Sequence, residues 1–161
     1  MITFDAYSKY YDLLYKDKNY VAEANYVDSI VRDYVENPES MLELGCGTGR
    51  FSREFAKLGY LVHGVDLSSK MINEAEKNKD DNLSFSCGDL RTLRLGETYD
   101  VVVALFHVLS YQNSNKDVLK MLATIKEHLS PKGIALFDFW YGPAVLTQRP
   151  SVKFKEVENG E

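Results

Sequence analysis

Apolar and polar positions along this chain follow two rhythms, and after residue 40 the rhythms take turns. Short apolar runs at Met41–Leu44, Leu61–Val65, Leu83–Ser86, Asp100–Phe106 and Ile134–Trp140 read as strands. Between them the spacing lengthens to three and four residues. Phe51, Phe55 and Leu58 predict a helix over Arg50–Leu58, closed by Gly59, and Met71, Ile72 and Ala75 predict another over Lys70–Asn78, capped by Ser68 or Ser69. A longer helix is expected over Lys116–Leu129, followed by a turn at Pro131-Lys132-Gly133. Ahead of the strands, Val21, Ala24, Val27, Val31 and Tyr34 mark the apolar face of an amphipathic helix from Val21 to Val35. The continuous run Val101-Val102-Val103-Ala104-Leu105-Phe106 predicts a strand buried on both faces. Strands and helices in alternation are the pattern of an α/β fold, a parallel sheet covered by helices.

One junction in this pattern carries chemistry. Glu43-Leu44-Gly45-Cys46-Gly47-Thr48-Gly49-Arg50 places three glycines at alternate positions between the first strand and its helix. Glycine accepts positive φ and lets a ligand come close to the main chain, while the helix start offers unpaired N–H groups. Asp66 ends the second strand about twenty residues on, where a carboxylate can accept from ribose hydroxyls. A nicotinamide-binding turn shares these features, but its GxGxxG spacing puts the third glycine one residue later. Hydride transfer would also call for a second domain or a long extension to orient the substrate.

Composition narrows the field further. With 161 residues, 45% hydrophobic and 27% charged, the chain suits one globular domain, and a net charge of -5 without a Lys/Arg cluster points away from nucleic acid. The apolar runs fall short of a membrane span and the start lacks a signal-peptide pattern, so a cytoplasmic location is expected. Cys46 and Cys87 have no CxxC spacing, and His63, His107 and His128 sit on separate segments, so no metal site is expected. A GxSxG elbow and a GxxxxGK[ST] loop are both missing.

The residues in order resemble the class I S-adenosylmethionine-dependent methyltransferases over almost the whole chain. Glu43 to Gly49 looks like that family's first motif, Asp66-Leu67-Ser68 its second and Gly88-Asp89-Leu90 its third. Tyr99-Asp100-Val101 through Phe106 resembles the fourth strand, and Leu129 to Ile134 the turn into the fifth. The resemblance implies a Rossmann-like, doubly wound sheet of five mainly parallel strands in the order 3-2-1-4-5, with N-terminal helices. It also implies S-adenosyl-L-methionine as cofactor and S-adenosyl-L-homocysteine as product. Glu43 would face the ligand's ammonium, Gly45, Cys46 and Gly47 its methionine part, and Asp66 its ribose. Asp89 would take the adenine amino group between Leu67 and Leu90, with Leu105 or Phe106 near the methionine. Asp89 could instead cap the Gly88 turn.

Methyl transfer is an in-line displacement, so positioning dominates and a neutral amine acceptor can attack unaided. A hydroxyl acceptor would gain from a base, and His107, at the end of the fourth strand, is the candidate, although it could equally make a structural hydrogen bond. Tyr11, Tyr15 and Tyr20 belong to a tyrosine-rich leader, residues 1–36, suited either to a lid over the cofactor or to amphipathic packing. Within the family, this leader and Phe106-His107-Val108-Leu109-Ser110-Tyr111 look most like bacterial small-molecule methyltransferases of deoxyamino-sugar pathways. The acceptor would then be a small molecule, a sugar amine or hydroxyl. The chain departs from the pattern after Tyr141, where the family normally adds an antiparallel strand pair. The segment 142–161 is thus expected to be truncated, leaving strand 134–140 with an open edge for homodimer formation and the 40–141 core either active or catalytically incomplete.

Overall fold

The structure, a computed structural model, describes residues 12–148. The elements are α1 (Tyr20–Tyr34), β1 (Ser40–Leu44), α2 (Arg50–Lys57), β2 (Leu61–Asp66), α3 (Ser69–Glu76), β3 (Leu83–Cys87), β4 (Tyr99–Ala104), α4 (Asn115–His128), β5 (Leu129–Phe137) and α5 (Gly142–Thr147). The five strands form one sheet in the order β3-β2-β1-β4-β5, and every pairing is parallel. This is the expected doubly wound α/β arrangement, and its order reverses between β1 and β4, where such sheets bind ligands.

Alternation along the strands sorts the core into two layers. Met41, Val62, Val101 and Val103 face α1 and α2, which contribute Ala24, Val27, Val31, Phe51 and Phe55. Leu42, Leu44, Val65, Val102 and Ala104 face the other way, against Met121 and Ile125 of α4. Each helix begins on a side-chain cap where the sequence offers one. Asn19 accepts from Ala22 N, Ser68 from Met71 N and Ser114 from Asp117 N.

Three expectations need correction. The buried stripe of α1 runs Tyr20, Ala24, Val27, Val31 and on to Val35, while Val21 and Tyr34 are 53% and 74% exposed. Steps of four, three, four and four residues hold one face, and Val21 and Tyr34 each sit about 100° off it. β4 stops at Ala104 rather than Phe106, because Phe106 and His107 both take positive φ, 61° and 65°. β5 begins at Leu129, opposite Tyr99, bulges through residues 130–133 and resumes with Ile134 opposite Val101. The expected Pro131-Lys132-Gly133 turn is that bulge, and Gly133 is needed there. A Cβ at this position would lie 2.7 Å from the Asp100 carbonyl oxygen. β5 also ends at Phe137 rather than Trp140, since the next residue, Asp138, turns its carboxylate to the end of β4.

Residues 1–11 and 149–161 lie outside the described residues, and with them Tyr11. Among the described residues β5 pairs on one side only and no further strand follows it.

Candidate functional site

The glycine turn closes the C-terminal end of β1. Gly45, Gly47 and Gly49 all have positive φ, 77°, 56° and 72°. The amides of Gly45 and Cys46 donate to the Val65 carbonyl at 2.7 and 3.0 Å, which ties the turn to the end of β2. The three glycines have different reasons to be glycine. A Cβ on Gly45 would stand 2.5 Å from Val108 and one on Gly49 2.8 Å from the Phe85 ring, whereas one on Gly47 would meet nothing within 4 Å. Only Gly47 leaves its space to a ligand. Gly45→Ala combines left-handed strain with a clash and should cost about 2–4 kcal/mol in denaturant unfolding, against about 1–2 for Gly47→Ala.

Asp66 completes the turn. Its Oδ2 accepts from Gly47 N at 3.0 Å and its Oδ1 from Ser68 N at 2.8 Å. Burial raises its pKa above the ordinary aspartate value, opposed by the amides of Ser68, Gly47 and Leu67. A carboxylate offers about four acceptor positions, so with these three amides at least one remains for a hydroxyl donor. Glu43 lies behind the turn, buried on the β1 face that meets α2, and its Oε2 accepts from Ser52 Oγ. Burial pushes its pKa up to about 7, with the Ser52 hydrogen bond pulling the other way.

Glu43, Gly45, Tyr20, Arg50, Phe51 and Leu105 line a cavity of about 20 Å³. Tyr20, on its wall, has a hydroxyl buried without a hydrogen-bond partner, and burial raises its pKa to about 12. The segment before α1 covers this corner. Tyr15 meets the Phe106 ring edge-on at 4.9 Å, Tyr20 meets Phe51 at 4.9 Å, and Lys18 Nζ lies 4.7 Å from Phe106 and 5.2 Å from Phe51. Asp12 Oδ1 accepts from Thr48 Oγ1 at 2.8 Å and pairs with Arg50 at 3.7 Å, at the start of α2 where negative charge is favoured. Asp12, Lys18 and Ser52 escaped sequence reading, which had no signal for contacts set by tertiary packing.

The other candidates fall nearby. Leu67 is 48% exposed beside Asp66, and Leu90 packs on the layer facing α4. Asp89 is engaged by Arg91, whose guanidinium bonds both carboxylate oxygens, at 2.9 Å to Oδ1 and 2.6 Å to Oδ2, and holds its pKa below the usual aspartate range. Its Oδ1 also accepts from the Arg91 amide at 2.9 Å in the loop after β3. Cys46 is buried, and burial together with the nearby Glu43 and Asp66 charges raises its thiol pKa well above the ordinary value, so it is not poised as a thiolate. His107 stands at the β4 end and Phe106 beside it; His128 is a core residue, donating from Nδ1 to Thr124 O and accepting from Leu95 N. Among the described residues no three His, Cys, Asp or Glu side chains gather as a metal site, and no helix is long and apolar enough to cross a membrane. A larger hollow of about 290 Å³ lies at the opposite end of the sheet, among His63, Ser84, Glu97 and Tyr99, away from the glycine turn.

A parallel sheet with an acid-flanked glycine turn at its switch point and an acid at the next strand end is the arrangement of a doubly wound α/β ligand-binding core. The chain belongs to the methyltransferase domain family, whose model matches residues 41–133. It is 33% identical over 135 residues to a dTDP-3-amino-3,4,6-trideoxy-alpha-D-glucopyranose N,N-dimethyltransferase of Streptomyces venezuelae, covering 83% of this chain and 56% of that protein. It is 31% identical to a dTDP-4-amino-2,3,4,6-tetradeoxy-D-glucose N,N-dimethyltransferase of Saccharopolyspora spinosa, covering 83% and 54%. The crystal structure of Streptomyces venezuelae DesVI superposes with a TM-score of 0.77 at 32% identity, covering 83% of this chain and 57% of that one. The SAM-bound amino pentose methyltransferase CalS10 of Micromonospora echinaspora superposes with a TM-score of 0.75 at 28% identity, covering 80% and 54%. The chain thus spans a little over half the length of these relatives.

Proposed function

We propose that this chain binds S-adenosyl-L-methionine at the glycine turn and belongs to an enzyme that methylates the amino group of a nucleotide-linked deoxysugar. The observation that carries the reading is the joint placement of Gly47, Asp66 and Glu43: an open backbone cradle, a ribose-type carboxylate with an acceptor position to spare, and a buried acid on the cavity wall. The two sequence relatives are named for dTDP-amino sugars, and CalS10, which superposes on this chain, is SAM-bound, which supports both cofactor and acceptor.

The residues present fit the cofactor. The orphan Tyr20 hydroxyl and the Arg50 guanidinium flank the same cavity as Glu43, so an ammonium and a carboxylate both find partners there. Asp66 would take the ribose hydroxyls, Gly45, Cys46 and Gly47 the methionine part, Leu105 and Phe106 its apolar flank, and Asp89, Leu67 and Leu90 the adenine. When bound, the cofactor supplies a methyl group on positively charged sulfur. The chain supplies position and dryness: the Tyr15, Lys18 and Tyr20 contacts hold the leader over the β4 end. A space of about 20 Å³ admits roughly one water, so ligand entry requires the side chains covering it to shift.

On this reading the described residues ahead of α1 cover the site, and 40–141 is the cofactor core of one domain. The domain works in the cytoplasm without nucleic acid or membrane partners. The open side of β5 offers a pairing edge for a homodimer, which concentration-dependent sedimentation would reveal. Incubation with S-adenosylmethionine and a dTDP-amino sugar should yield the acceptor heavier by a methyl group. If S-adenosylhomocysteine binds but a range of amino sugars stays unmethylated, the acceptor assignment fails.

A further inference from the structure

The end of β4 carries two consecutive left-handed residues, neither of them glycine: Phe106 and His107. Such residues persist only where their surroundings over-determine them. Here Asp138 contributes. The register Ala104 opposite Phe137 brings Asp138 beside this loop, and its Oδ1 accepts from the His107 amide at 2.7 Å. Its other oxygen stands 3.5 Å from His107 Nδ1. That nitrogen is buried with no hydrogen-bond partner, although 33% of the side chain is exposed, so the exposure falls on the rest of the side chain. The ring is held between Phe106, with centroids 5.8 Å apart, and Trp140, 4.6 Å away. Trp140 is itself anchored, its amide donating to Ser110 Oγ at 3.1 Å.

We propose that Asp138 is a positioning residue for His107, drawing the Nδ1–H tautomer so that Nε2 stays unprotonated at the ligand end of the sheet. The inference rests on the methyl-transfer reading above. An amine acceptor arrives largely as an ammonium, which has no lone pair. In the assigned step the acceptor's N–H bond breaks, its electrons remain on nitrogen as the lone pair, and an Nε2–H bond forms from the imidazole lone pair. The resulting imidazolium is offset by the Asp138 carboxylate. Asp138 touches neither reactant and acts through the ring alone.

A purely structural role would end at the backbone amide, and Asp138→Asn separates the two. The asparagine keeps one oxygen for the His107 amide but turns its NH2 toward Nδ1, which must then accept, leaving the proton on Nε2. Long-range proton–nitrogen NMR correlation on the full chain reads the tautomer directly, with His107→Gln assigning the resonances. The expected result is Nδ1–H in the wild type and Nε2–H in Asp138→Asn, with S-adenosylhomocysteine affinity unchanged between them. Nε2–H in the wild type overturns the proposal whatever the variant's folding, as does one tautomer shared by both. Failure of the wild type to bind S-adenosylhomocysteine strikes the methyl-transfer reading instead, and the tautomer remains readable.

Discussion

Asp66→Ala is expected to abolish saturable binding of S-adenosylhomocysteine and to lower the folding free energy by about 2–3 kcal/mol. The two losses have one cause. The carboxylate draws the Gly47 amide and the Ser68 amide toward one point, at 3.0 and 2.8 Å, so it shapes the turn as well as offering an acceptor position to a ribose. Truncation leaves two amides facing a partly buried gap and removes the ligand's partner. Asp66→Asn should fall between the two in stability, because one oxygen can still accept while its NH2 opposes the second amide. Ribose recognition is lost there as well. Chemical denaturation beside calorimetric titration measures both; a variant that binds as the wild type does would remove Asp66 from the ligand site.

Glu43 predicts the second large effect, a pH dependence with a definite sign. Its pKa is raised to about 7 in the folded chain by burial, from an ordinary value of 4.5. Glu43 therefore favours folding below pH 4.5, and that contribution is lost as the pH rises through about 7. Ligand binding runs the opposite way. With the ligand's ammonium on Glu43, as proposed, the ionised acid is the binding form, so affinity for S-adenosylhomocysteine should fall by up to about tenfold per pH unit below pH 7 and level off above it. The ligand's own ammonium stays charged across that range, so the titration belongs to the protein. Glu43→Gln should bind weakly at every pH and flatten the profile, while being at least as stable as the wild type at pH 8, because a buried charge has been removed. A wild-type affinity that is flat between pH 5 and 8 would contradict this role.

Much of the fold was legible because strand and helix rhythms are clean where both faces of the sheet are covered. The runs at 41–44, 61–65 and 101–104 are β1, β2 and most of β4, and the glycine turn sits where the spacing placed it. What escaped was decided by tertiary contacts. The α1 stripe ends on Tyr20 and Val35 rather than Val21 and Tyr34, a difference of one residue at each end that periodicity alone cannot resolve when both neighbours are apolar. The early end of β4 depends on positive φ at Phe106 and His107, residue types with no preference for it, held in part by Asp138 more than thirty residues later. The proposed site divides in the same way. Glu43, Gly47 and Asp66 announce themselves by spacing, whereas Asp12 reaching Thr48, Lys18 over the Phe106 ring and Ser52 on Glu43 become visible only when the chain is folded.

Calorimetric titration of S-adenosylhomocysteine into the wild-type chain at pH 8 tests most directly whether the glycine turn, Glu43 and Asp66 form one cofactor site. The account predicts saturable binding with one ligand per chain, weakening as the pH falls through 7. The absence of binding heat from a demonstrably folded chain at several temperatures would contradict it.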